Sequence, residues 1–244
     1  VSIRTILVPQ DGSKAAASAL DTAFILAKRF KAHLEIIHIR GTGEEILRRG
    51  LGNFSAQFEK SILKEIETDA GEESSRIRTQ FEEFCKQRSI PIRDQPSAKA
   101  GVSAAWREVA GRVGENLVRF ARVNDAIVAA RPVRRSAGTR RSPAGENLEA
   151  LLLESGRPIV MAPPVAVTSA GEHMVIGWNG SAEAARAVSA AMPWLELAHR
   201  VTVLSSARRE GDGQELVRHL SWHGVEATLQ LFEKKTRTVG KVLL

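Results

Sequence analysis

Apolar and polar positions change their period several times along this chain of 244 residues, and each change marks an element. The run "TILVP" (residues 5–9) is continuously apolar and gives way at Asp11. Small and apolar residues then recur three and four apart, at Ala16, Leu20, Ala23, Phe24, Ala27 and Phe30. A short unbroken apolar run predicts a strand buried on both faces, and the three–four spacing predicts an amphipathic helix. "HLEIIHI" predicts a second strand. Residues 56–88 carry Phe58, Ile62, Ile66, Ile77, Phe81 and Phe84 at helical spacing, which predicts one long helix over the sheet. Its length also allows contact with a second subunit. Further on, "DAIVAA", "ENLEALLLES" and "PIVMAP" predict strand, helix and strand.

The same pattern is written a second time. Asn179-Gly180-Ser181 follows Asp11-Gly12-Ser13 at an offset of 168. "MVIGW" precedes it, as "TILVP" precedes the first turn. A helix follows, with Ala184, Ala187, Val188, Ala191 and Leu195 on one face, and then the apolar run "RVTVLSS". "VEATLQLF" alternates cleanly, with Val225, Ala227, Leu229 and Leu231 on one side and Glu226, Thr228 and Gln230 on the other. Period two predicts a half-buried strand. Its counterpart "AAWREVAG" is ambiguous alone and is read by analogy as a strand over 105–109, with a helix opening near Gly114. "VGENLV" from Val113 matches "VGKVLL" from Val239 at an offset of only 126, so the second copy has a shorter middle.

Alternating strands and helices predict a parallel sheet with helices on both faces. The proline-containing stretch after residue 163 separates a first domain (1–163) from a second (172–244), with 164–171 as linker. Leu244 aligns with Val118, ahead of the first copy's strand "DAIVAA". The second copy is therefore incomplete in this chain. Either the natural protein continues or it lacks that end, and the sequence leaves both open.

Composition narrows the class. Hydrophobic residues make up 43% and charged residues 26%, as in soluble globular proteins. No apolar run approaches the ~20 residues that span a bilayer. The opening "VSIRTILVPQDG" lacks a secretory layout. The single cysteine, Cys85, excludes an internal disulfide and a cysteine-based metal cluster, and a cytoplasmic home is expected. Cys85 lies in the helical stretch "FEEFCKQR" and reads as a buried or half-buried thiol. A net charge of +7 permits attraction to polyanions.

The first copy, through "ILVPQDGS…ALDTAFILAKRFKAHLEIIHI", resembles the universal stress proteins. "VIGWNGSAEAARAVSAAMPWL" and "LLLESGRPIVMAPP" resemble the tandem members of that family. The likeness spans both copies except about 41–101. It implies a flavodoxin-like, doubly wound parallel sheet of order 3-2-1-4-5 in each copy, the second incomplete. In that order the chain reverses between strands 1 and 4, and ligands bind at the carboxyl ends of the strands there. Residues 9–13 and 131–145 would meet at that place. Asp11 would overhang the crevice, Gly12 would permit the sharp turn, and Ser13 would cap the following helix.

In nucleotide-binding members, the residues matching Asp11 and Ile39 hold adenine and ribose, and a glycine-rich loop after strand 4 wraps the phosphates. Glycines let backbone N–H groups approach phosphate closely. Here Ala130 and Val133 replace the two leading glycines, Gly138 and Gly145 follow at altered spacing, and Glu146 replaces a small hydroxyl residue. A glutamate beside phosphate would repel it. The resemblance thus implies an ATP or AMP site in the first copy with a degenerate phosphate loop. Its candidate residues are Pro9, Gln10, Asp11, Ile39, Ala130, Arg131 and Gly145. In the second copy Asn179 replaces the aspartate and the phosphate loop would fall after Leu244.

Other signals are weaker. Arg134, Arg135, Arg140 and Arg141 follow Arg131 in one loop and could grip an anion, although solvated surface charge is the favoured reading. No aromatic residue interleaves with them, which argues against nucleic acid. His219 and His223 are spaced for a metal but lack the intervening glutamate and a third ligand, so no metal is expected. G-x-S-x-G nucleophile motifs are absent. The leading expectation is a non-catalytic stress-response protein that acts by binding, as a homodimer meeting through strand 5 near residues 159–161. The alternatives are a slow nucleotide-dependent hydrolase and an anion or nucleic-acid module built on the arginine loop.

Overall fold

The computed structural model describes residues 2–41, 56–96, 101–132 and 143–233. They form two compact units divided between Thr168 and Ser169.

The first unit runs β1 (Thr5–Pro9), α1 (Lys14–Phe30), β2 (His33–Arg40), α2 (Ala56–Gln87), β3 (Ser103–Ala110), α3 (Val113–Ala121), β4 (Ala126–Ala130), α4 (Pro143–Glu154) and β5 (Ile159–Ala162). The strands form one parallel sheet of order β3-β2-β1-β4-β5, the order expected. The strand read at 105–109 is longer at both ends. Ile6, Leu7 and Val8 in the central strand are wholly buried, because each face of the sheet carries a helical layer.

Side-chain alternation divides the strand residues between those layers. Leu7, Ile37, Ile39, Ile127 and Ala129 pack with Leu117 and Ala121 of α3 and Leu151 of α4. Their neighbours along the strands face α1 and α2. The small residues Ala16, Ala19, Ala23 and Ala27 are buried on α1, which lets that helix lie close to the sheet. From α2, Ile77, Phe81 and Cys85 are buried, and Phe84 meets Phe24 of α1 edge-on at 6.0 Å. An Arg88–Asp21 ion pair joins the outer rims of these helices. At the amino end of the sheet, Asp125 accepts the backbone N–H groups of Arg4 and Thr5, which ties the start of β4 to β1.

The second unit runs β6 (His173–Trp178), α5 (Ala182–Leu195), β7 (Arg200–Ser206), a short 3-10 turn (Ala207–Arg209), α6 (Glu210–Trp222) and β8 (Ala227–Phe232). Its described strands form a parallel sheet of order β6-β7-β8. The core joins Val201 and Val203 to Val188, Leu195, Leu216 and Leu220. Ala187, expected on the core face of its helix, is exposed. The reason is that α5 buries a narrow stripe of Val188, Trp194 and Leu195. Among the described residues no helix is long and apolar enough to cross a membrane.

Candidate functional site

The apolar strand β1 ends in a turn fixed by local hydrogen bonds. Asp11 Oδ1 accepts the backbone N–H of Ser13 at 3.0 Å, Gly12 takes the left-handed conformation with φ +72°, and Ser13 Oγ accepts the N–H of Ala16 at 3.1 Å. The serine thereby satisfies one of the unpaired donors at the start of α1. A side chain on Gly12 would meet Ile77 Cγ1 at 2.9 Å, so α2 approaches the turn too closely for a Cβ. The second unit repeats this geometry. Asn179 Oδ1 accepts the Ser181 N–H at 3.0 Å, Gly180 has φ +70°, and Ser181 Oγ accepts from Ala184 at 3.2 Å. The turn therefore needs the side-chain oxygen, and its geometry does not require the charge on Asp11.

Above the carboxyl ends of β1, β2 and β4 lies a cavity of about 270 Å³. Its wall brings together Pro9, Gln10, Asp11, Ile39 and Ala130, five residues drawn from three strand ends. Gln10 is fixed from several directions. Its backbone N–H donates to Ile37 O at 2.8 Å, and its side-chain amide donates to Ala16 O at 3.0 Å. Its own carbonyl lies 2.9 Å from His38 Nδ1. A carbonyl only accepts, so Nδ1 carries the hydrogen. The His38 ring stacks on Trp106, with centroids 6.1 Å apart and planes inclined by 18°.

Two further candidates do not reach the cavity. Arg131 is exposed beyond β4, and Gly145, in the first turn of α4, is not part of the wall. Glu146 is exposed on α4 and also lies off the wall. Arg134, Arg135, Arg140 and Arg141, with Val133 and Gly138, lie outside the described residues.

The sequence reading missed the helical half of the enclosure. Val113 and Leu117 of α3 and Asn147, Leu148 and Leu151 of α4 line the cavity, as does His38. The spacing of 147, 148 and 151 is that of one helix face and was a usable signal. Asp11 is the only carboxylate among the described residues of the wall. In the second unit, His219 and His223 meet edge to face at 4.9 Å between ring centroids. Among the described residues no cluster of three His, Cys, Asp or Glu side chains could hold a metal.

A 3-2-1-4-5 parallel sheet with helices on both faces and a crevice between strands 1 and 4 defines a flavodoxin-like, doubly wound α/β fold. The family model described as the universal stress protein family matches residues 2–163, and the chain belongs to that family. No curated protein gives a significant match. Among solved structures, a universal stress protein from Archaeoglobus fulgidus matches with TM-score 0.66 at 13% identity, over 95% of this chain and 79% of that one. The universal stress protein UspA from Lactobacillus plantarum matches with TM-score 0.46 at 15% identity, over 67% of this chain and 99% of that one. A member of the family from Burkholderia pseudomallei matches with TM-score 0.44 at 21% identity, over 66% and 96%. At 13% identity the likeness to the Archaeoglobus fulgidus protein speaks to fold alone.

Proposed function

We propose that the protein is a tandem, non-catalytic member of its family that binds the adenine and ribose of ATP or AMP in the first unit. The observation that carries this reading is the gathering of Pro9, Gln10, Asp11, Ile39 and Ala130 on one cavity at the strand reversal. Asp11 carries a charge that the geometry of its turn does not require, which suits a carboxylate that meets ribose hydroxyls. Apolar Ile39, Ala129 and Leu148 offer flat contact for a base. At about 270 Å³ the cavity lies just below the ~300 Å³ at which pockets for drug-sized ligands begin, so base and ribose would fill it. The phosphates would extend beyond it.

The protein's role in stress adaptation would then follow from ligand or partner binding, in the cytoplasmic setting its single cysteine suggests. The slow-hydrolase reading is weaker, since no second carboxylate stands beside Asp11 to hold a metal on the described wall. Calorimetry with adenosine and AMP tests the proposal. Both should bind, AMP only modestly better, and Asp11→Asn should weaken both about tenfold, the worth of one charged hydrogen bond. Absence of binding at millimolar ligand, or an unchanged affinity in the variant, would overturn it.

A further inference from the structure

A second polar cavity, of about 490 Å³, opens at the other end of the same sheet. Arg4, Lys31, His33 and Ser103 line it where β1, β2 and β3 begin, together with Arg93 and Asp94 from the segment before β3. It shares no residue with the crevice at the carboxyl ends.

Glu35, His33 and Ser103 of one wall belong to a chain of side chains across two strands that starts outside the cavity at Arg107. Arg107 Nε donates to Glu35 Oε1 at 2.6 Å, His33 Nε2 lies 3.5 Å from Glu35 Oε2, and His33 Nδ1 lies 2.9 Å from Ser103 Oγ. Hydrogen bonds from His33 and then Arg107 hold the Glu35 carboxyl below its ordinary range, against the opposing effect of burial. Glu35 is thus ionised and already engaged.

The other cations lining the cavity are not engaged. Arg4, Lys31 and Arg93 make no side-chain ion pair or hydrogen bond among the described residues. Arg93 is half-buried, and its position is fixed by the backbone. Its N–H donates to Ala104 O at 2.8 Å, and the Ala104 N–H donates to Pro91 O at 3.0 Å. Lys31 is the left-handed C-cap of α1, with φ +54° and its N–H on Ala27 O, which sets its exposed side chain at the mouth of the cavity. Asp94, exposed, is the other lining carboxylate, and it makes no side-chain ion pair or hydrogen bond among the described residues.

Two guanidinium groups and an ammonium border a concave polar wall, an arrangement that favours an anion. Guanidinium matches the paired oxygens of phosphate, and lysine adds a point charge. The volume is several times that of a phosphate ion, so a sugar-sized body fits beside the charged group. We propose that this cavity binds a small phosphomonoester, its phosphate held by Arg4, Lys31 and Arg93 and its hydroxyls facing the His33–Ser103 wall.

Calorimetry on the full chain tests this with ribose 5-phosphate and, separately, inorganic phosphate as probes. Ribose 5-phosphate should bind, and Arg4→Gln and Arg93→Gln should each weaken it about tenfold or more, as expected for a lost charged hydrogen bond. Arg4 is exposed and its backbone contacts survive the substitution, so that variant reports on binding even if Arg93→Gln fails to fold. Excess adenosine should leave the signal in place. Displacement by adenosine would move the ligand to the other crevice and overturn the proposal. So would equal affinity for inorganic phosphate, an unchanged affinity in Arg4→Gln, or no binding at millimolar concentration.

Discussion

Asp11 and Asn179 stand at the same point of two turns that are alike to within about a tenth of an ångström in their hydrogen bonds. The comparison separates two roles that sequence alone superimposes. An amide oxygen makes the same contacts at the same distances as a carboxylate oxygen, so the turn geometry does not depend on the charge of Asp11. Asp11→Asn should therefore change unfolding free energy by less than about 0.5 kcal/mol in a urea titration. Ser13→Ala removes the helix cap and should cost about 1 kcal/mol. Gly12→Ala should cost more, because the left-handed backbone and the Ile77 side chain both oppose a Cβ. A larger effect for Asp11→Asn than for Ser13→Ala would mean that the charge supports the fold after all. The turn itself was legible, because Gly and Ser at fixed offsets after an apolar run have few other uses. His38 was not, because its importance lies in a carbonyl contact made 28 residues away along the chain.

The elements followed from periodicity wherever one face meets a uniform layer. The strand ends of the crevice were legible for the same reason, since Pro9, Asp11 and Ala130 each follow an apolar run that must stop. The helical side of the cavity depends on the rotational phase of α4, which linear proximity to β4 does not reveal. That phase turns Asn147, Leu148 and Leu151 inward and leaves Gly145 and Glu146 off the wall. On α2 the phase was plain, and it buries Cys85 to 2% exposure beside the sheet. Burial pushes the Cys85 thiol up to about 11 from 9.0, opposed by Arg88 and assisted by Glu82. Between about pH 9 and 11 the unfolded chain releases a proton that the folded chain retains, so this group lowers stability as pH rises across that window. The native thiol should resist an aromatic disulfide reagent at pH 8 and react fully once urea unfolds the protein. Rapid reaction of native protein would show that α2 opens locally.

The two units differ in how their sheets are enclosed. Leu7 and Val175 occupy equivalent places in β1 and β6, yet Leu7 is wholly buried and Val175 is 64% exposed. In the first unit α3 and α4 cover that face, and β4 flanks β1. Among the described residues, β6 pairs only with β7. In the first unit one of the two sheet edges is β5, paired with β4 alone, and its Met161 is 53% exposed. A short edge strand with an exposed apolar side chain and unpaired backbone groups favours pairing with another chain. We therefore expect a homodimer through β5, with strand-to-strand hydrogen bonds giving register and Met161 giving apolar contact. Light scattering should return twice the mass of one chain, and Met161→Lys should reduce it to one, since a buried unpaired ammonium strongly opposes the contact. Adenosine binding in the first unit should survive that change, because the cavity is assembled within a single chain. A wild-type mass equal to one chain would dispose of the dimer. An unchanged dimer in Met161→Lys would transfer the contact away from β5, and Val175→Lys would then ask whether the uncovered face of the second sheet carries it.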